Sequence, residues 1–168
     1  MRKEAVQNIV SGLKLAGIDF VVTLSCTAVG PLIPHVMKEP QFKHVPVCNE
    51  GDGFVICAGA WMGGKTPALL IENTAVLLGA YSLTGLDCMY GGFPMLMIVD
   101  HRGSFGDGSA YFYAGGGIMA PVVLEGLRIP YRIVRECGEL IGAIQEGQKT
   151  AAAQGKPVAI LLSGEEVS

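Results

Sequence analysis

Glu50 stands where chemistry is easy to imagine. It follows the apolar run His44-Val45-Pro46-Val47 and opens the segment Glu50-Gly51-Asp52-Gly53-Phe54-Val55-Ile56-Cys57-Ala58-Gly59-Ala60. The small residues of that segment let a helix lie close against a sheet or a second chain. A carboxylate at such a helix start either does proton chemistry or simply rests at the positive end of the helix dipole, a contact worth about 0.3–1 kcal/mol. Spacing alone leaves both roles open. Other polar groups follow apolar runs in the same way: Ser25-Cys26-Thr27, Glu72-Asn73-Thr74, Asp100-His101-Arg102-Gly103-Ser104 and Glu136. Arg102 could pair bidentately with a carboxylate, sulfonate or phosphonate, or could be a solvated loop residue. His101 is a ligand-binding or a structural histidine. Asn73 and Thr74 are a helix N-cap pair or part of a site.

Several familiar chemistries are absent from the sequence. No G-x-S-x-G elbow occurs, so a serine triad has no support. Gly63-Gly64-Lys65-Thr66 is a fragment of a phosphate-binding loop, but it precedes a strand-like run instead of opening a helix. No G-x-G-x-x-G follows the first run, which counts against a dinucleotide fold. The five cysteines, Cys26, Cys48, Cys57, Cys88 and Cys137, are odd in number and include no C-x-x-C pair. They read as reduced thiols that fill space as small hydrophobes, and no metal site is expected from them.

These groups must be positioned by the elements around them. Six short apolar runs, 20–24, 44–47, 68–71, 95–99, 131–134 and 158–162, predict strands. Helical segments alternate with them. In the first, Ala5, Ile9, Leu13 and Ala16 share one face and Gly17 supplies a C-cap. Later helices are expected over 51–63, 75–90, 118–127 and 139–154. Strands alternating with helices imply parallel pairing through right-handed crossovers, and continuous apolar strands imply a sheet covered on both faces. The expectation is an α/β fold: a three-layer α/β/α domain spanning residues 1–168, with a six-stranded, mostly parallel sheet. Pro46 suits only an edge strand or one that begins late. The polar groups then form a collar beyond the carboxyl ends of the strands, where such folds bind ligands.

Composition narrows the class. Of 168 residues, 50% are hydrophobic and only 16% charged, and mean hydropathy is +0.43. Disorder is excluded by that balance. The 24 glycines show no three-residue period, which excludes collagen. A net charge of −3 without a basic run argues against a nucleic-acid partner. The uncharged stretch from Gly108 to Leu124 contains four glycines and Pro121, and it is shorter than the ~20 continuous apolar residues of a membrane span. The N-terminus lacks the apolar core of a signal peptide. No membrane partner and a cytoplasmic location are therefore expected. A surface so poor in charge suggests burial against another chain. The aromatic, glycine-rich segment 108–117 reads as a lid or an interface loop.

Taken in order, these pieces resemble the pyrimidine-binding (PYR) domain of thiamine-diphosphate-dependent decarboxylases, a family that includes the sulfopyruvate decarboxylase α subunits and the phosphonopyruvate decarboxylases. The resemblance covers essentially the whole chain. It rests on FVVTLSCTAVGPL (20–32), NEGDGFVICAGAWMGG (49–64), KTPALLIEN (65–73), PMLMIVDHRGSFG (94–106) and GKPVAILL (155–162), with the block around Glu50 the most specific. It implies that Glu50 is catalytic and hydrogen-bonds the N1′ atom of the cofactor's aminopyrimidine. It further implies that Ser25, Cys26, Thr27, Asn73 and Thr74 line that end of the cofactor, and that His101 and Arg102 meet the anionic tail of a 2-oxo acid substrate.

Relatives often carry a glycine-rich turn of the form N-S-G-x-G-N after the third strand, whereas this chain has Asn73-Thr74-Ala75-Val76-Leu77-Leu78-Gly79. The metal-diphosphate motif of these enzymes begins Gly-Asp-Gly. That triplet occurs at 51–53 and 106–108, but neither copy is followed at a suitable distance by an asparagine. The resemblance therefore implies a diphosphate-binding domain on a separate β subunit, which would also supply the ligands of the Mg2+ ion, and a hetero-oligomer with thiamine diphosphate between subunits. A carboligase or lyase subunit of the same cofactor class, and a non-catalytic regulatory subunit with the same fold, are the alternatives.

Overall fold

A computed structural model describes residues 1–108, 111–164 and 167. Six strands, β1 (Phe20–Leu24), β2 (Lys43–Val47), β3 (Pro67–Glu72), β4 (Met95–Asp100), β5 (Tyr131–Val134) and β6 (Pro157–Leu162), form one sheet in the order β2-β1-β3-β4-β6-β5. Every pairing is parallel. Each expected strand is present within a residue at either end. Pro46 lies in the edge strand β2, where its missing N–H costs no ladder bond to a further strand. That edge is also tied to β1 by a side-chain bond, Thr23 Oγ1 to His44 Nε2 at 2.9 Å, and burial lowers the His44 pKa.

Among the described residues seven α-helices cover the sheet: α1 (Lys3–Leu15), α2 (Ile33–Lys38), α3 (Glu50–Met62), α4 (Asn73–Leu78), α5 (Ala80–Tyr90), α6 (Ala114–Gly126) and α7 (Leu140–Gln154). Alternate strand residues feed two cores. Leu96 and Ile98 of β4 pack with α1, α2 and α7. Met95, Met97 and Val99 pack with α3 to α6. The strand order explains this division. Steps β2→β3, β3→β4 and β4→β5 run one way across the sheet, and right-handed crossovers place α3 to α6 on one face. Steps β1→β2 and β5→β6 run back, which places α2 and α7 on the other.

Three helical expectations change. Residues 75–90 fall in two helices that meet at Gly79, which packs on the Phe54 ring of α3 so closely that any Cβ would clash with it. Helix α6 begins at Ala114, four residues before the expected start. Its Gly117 lies against the backbone of Gly103, where any side chain would clash, so tertiary packing outweighs the poor helix propensity of the glycines. Helix α2 has no counterpart among the expected helices, being only six residues long. In the 108–117 segment, Tyr111–Tyr113 form a short 3₁₀ turn leading into α6; Ser109 and Ala110 lie outside the described residues.

Candidate functional site

Parallel strands place their carboxyl ends along one edge, and the collar residues gather there. Glu50 follows β2, Ser25-Cys26-Thr27 follows β1, Asn73-Thr74 follows β3 and His101-Arg102 follows β4. These are four adjacent strands in the sheet order. At the usual strand spacing they span about 14 Å. Glu136, after the far edge strand β5, lies two strands beyond β4 and outside this row.

Glu50 is the first residue of α3. Asn49 caps that helix: its side-chain oxygen accepts from the backbone N–H of Gly51 at 2.8 Å and of Asp52 at 3.3 Å. The cap satisfies two orphan donors and leaves Glu50 half-buried, with no hydrogen bond or ion pair to its carboxylate among the described residues. Helix α3 itself is drawn down onto the sheet at Gly53, where a Cβ would stand 2.9 Å from Leu69. In the β1 loop, Ser25 and Thr27 are exposed and Cys26 is half-buried. The Cys26 sulfur accepts from the Val29 N–H at 3.4 Å, and burial pushes its thiol pKa up.

Asn73 and Thr74 are the first two residues of α4, so neither caps it. Thr74 donates its hydroxyl to Glu72. Asn73 is buried and donates through Nδ2 to the Arg102 carbonyl at 2.6 Å, tying β3 to the loop after β4. That loop is held from every side. The His101 N–H donates to Leu162 O at 2.8 Å, its buried ring bonds the Gly117 carbonyl through Nε2 at 2.8 Å, and Ser104 and Ser163 hydroxyls meet at 2.7 Å. His101 is thus built into the packing between β4 and α6, with its Nδ1 unpartnered among the described residues.

Arg102 pairs through Nε with the buried Asp100 carboxylate at 3.0 Å and lies over the Tyr113 ring, 5.2 Å from its centre. Partial burial works against its charge, but Asp100 and Tyr113 outweigh that and raise its pKa. The guanidinium is therefore held in one place, charged at any working pH. The sequence alone puts Asp100 in the collar without a role and Tyr113 in the lid or interface segment 108–117, with nothing to link the two to Arg102. A carboxylate closing an otherwise apolar strand two residues before an arginine was the available signal for Asp100; Tyr113 comes close only through the fold.

The residues present fit an amine-bearing heteroaromatic ring. Such a ring offers N–H donors, and this edge offers oxygen acceptors that have no partner among the described residues: the Glu50 carboxylate and the buried Asn73 Oδ1. Buried polar atoms are normally paired. Among the described residues no three His, Cys, Asp or Glu side chains converge as metal ligands.

A six-stranded parallel sheet between two helical layers, with an acidic helix start at its carboxyl edge, is the PYR-type fold of thiamine-diphosphate-binding domains. It superposes with a TM-score of 0.72 on the 2-oxoglutarate:ferredoxin oxidoreductase from Magnetococcus marinus, at 19% identity, covering 99% of this chain and 29% of that one. No family model matches the sequence. The chain is 34% identical over 162 residues to the sulfopyruvate decarboxylase subunit alpha of Methanothermobacter thermautotrophicus, covering 96% of this chain and 97% of that protein. It is 29% identical over 148 residues to the corresponding subunit of Methanococcus maripaludis, covering 88% and 87%. The chain belongs to the thiamine-diphosphate-dependent 2-oxo acid decarboxylase family, as a PYR-type domain related to the sulfopyruvate and phosphonopyruvate decarboxylases.

Proposed function

We propose that this chain is the α subunit of a thiamine-diphosphate-dependent decarboxylase acting on an anionic 2-oxo acid such as sulfopyruvate or phosphonopyruvate. The observation that carries the reading is the match along 97% of a sulfopyruvate decarboxylase alpha subunit. In this reading residues 1–168 are the pyrimidine-binding half of the site. A β subunit supplies the diphosphate-binding domain and the Mg2+ ligands.

Thiamine diphosphate, when bound, supplies the electron sink that lets carbon dioxide leave. The chain's own residues would orient and activate it. Glu50 holds a proton at the pyrimidine N1′, and its position at a helix start keeps it at a positive dipole end. Ser25, Cys26, Thr27, Asn73 and Thr74 line the same end of the cofactor, with Asn73 acting as an acceptor for its amine. Arg102, anchored by Asp100, receives the substrate's distal anion. His101 contributes by fixing the Arg102 backbone through its contacts to Gly117 and Leu162. Apolar side chains around the loop, Phe105, Tyr111 and Phe112, would shield the site from water once covered.

The test is reconstitution with the β subunit and measurement of carbon dioxide release from a panel of 2-oxo acids, with and without thiamine diphosphate and Mg2+. Release confined to substrates with a second anionic group is expected. Glu50→Gln should lower kcat by about 10²–10⁴-fold while the complex still assembles. Full activity in that variant, or turnover without the cofactor, would sink the reading. Appearance of an acyloin product instead of an aldehyde would reassign the subunit to carboligation.

A further inference from the structure

The opposite end of the sheet holds a cavity of about 300 Å3, unrelated to the collar. It opens beside Phe93, which precedes β4, Pro157, which begins β6, and Ile129, which precedes β5. A six-residue strand such as β4 separates it from the collar by about 20 Å. Phe93, Leu83 and Ile129 make a buried apolar floor. Arg128 and Lys156 stand at the rim. Lys156 is only loosely matched by Asp87, at 3.9 Å.

Arg128 is an unusual residue for its place. It is the one non-glycine residue with a positive φ, +55°, among the described residues. Helix α6 ends in a Schellman motif: the Arg128 N–H donates to Glu125 O at 2.9 Å and the Ile129 N–H to Leu124 O at 2.8 Å. The left-handed position of that motif belongs to glycine in most helices. Glycines serve it at the ends of α5 and α7, as Gly91 and Gly155. Here an arginine accepts the strain, and its side chain has no hydrogen bond or ion pair among the described residues. Strain of this kind in a non-glycine residue gathers at functional sites.

We propose that this cavity is a second small-molecule site, for a compact organic anion with an apolar body: the body on Phe93, Leu83 and Ile129, the anionic group on Arg128 with Lys156 beside it. The volume lies at the small end of ligand pockets, which suits a monocyclic acid. The site does not depend on the decarboxylase reading, and its test involves no turnover.

The experiment is titration of the full chain with phenylacetate, followed by backbone amide NMR. Saturable shifts are expected at Gly92, Phe93, Ile129 and Lys156, and not at Glu50 or Arg102. Benzyl alcohol, the same body without the charge, should bind at least about tenfold more weakly, the loss typical of a charge-assisted hydrogen bond. Arg128→Gly should bind phenylacetate at least about tenfold more weakly and unfold at a temperature no lower than the parent, since glycine relieves the strained φ. Lys156→Gln, which leaves the motif untouched, should also weaken binding. No saturable shift up to about 10 mM, far above the affinity expected of a ligand this size, would overturn the proposal. So would shifts centred elsewhere, or equal affinity in Arg128→Gly and the parent.

Discussion

The two helical layers of this domain finish differently on their outer sides. The layer of α1, α2 and α7 turns Lys3, Glu4, Gln7, Ser11, Lys14, Glu146 and Lys149 to water, and its large exposed apolar residues are Leu15 and Met37. Beneath that surface it packs tightly: at Gly12, where α1 crosses α7, a Cβ would stand 2.9 Å from Ile144. The layer of α3 to α6 is equally well packed inward, around Phe54, Leu83 and Leu124. Outward it presents Val55, Met62, Leu78, Tyr81, Met89, Ile118, Met119 and Val122, with Tyr81 87% exposed, Met89 72% and Ile118 64%. Scattered apolar residues on a surface are ordinary, but a set spread over four adjacent helices on one face is the mark of an interaction surface. The collar lies at the end of this same layer, since Glu50 and Asn73 open α3 and α4. The difference teaches that one face is finished in polar side chains and the other in apolar ones, with the candidate site at the border of the apolar one.

The strongest test of this contrast compares a buried and an exposed isoleucine, one from each layer. Ile144→Ala, in the closed layer, should destabilise the chain by about 2–5 kcal/mol, read from denaturant unfolding. Ile118→Ser, in the open layer, should change the same quantity by less than about 0.5 kcal/mol. Comparable losses from both would mean that the open layer is not a separate surface. A smaller effect is expected inside the open layer: Gly79→Ala forces a methyl into the Phe54 ring, and overpacking of that kind costs about 1–3 kcal/mol. Association is the next measure. If the proposed β subunit docks on this face, Ile118→Asp should leave the folded chain intact and weaken assembly with it by at least about tenfold, because a charge would have to be desolvated there; sedimentation of the mixed subunits reads this directly. The gentlest probe is alkylation. Cys88, exposed on α5, should react with iodoacetamide in the free chain and become protected in the complex, whereas Cys57 and Cys137, both buried, should react only on unfolding. Burial pushes the Cys57 thiol far up, which reinforces its inertness.

Particular residues show where sequence reading sufficed. Runs such as Met95 to Val99 are apolar on consecutive residues because both faces of the sheet are covered, so local composition alone located the strands. Pro46 marked the edge by the donor it lacks. Of the site, the strand-end positions of Glu50, Asn73 and Arg102 were legible because parallel strands put every such junction on one edge. The Asp100–Arg102 pair, the Tyr113 ring over it and the enclosure of His101 by Gly117 were not, since those contacts join segments brought together only by the strand order. The packing of Gly79 on Phe54 is illegible for a similar reason: nothing near Gly79 in sequence announces Phe54.

By itself, then, the sequence determined the alternation of strands and helices, the polar edge and the low share of charge, because each follows from residue types within a few positions of one another. The tertiary structure alone decided which helices share a face, which of those faces is left uncovered, and which charges meet at the collar and at the far cavity. Those outcomes depend on crossovers whose handedness sorts helices to one side or the other, a constraint that acts across the whole sheet and leaves no trace in any short stretch of chain.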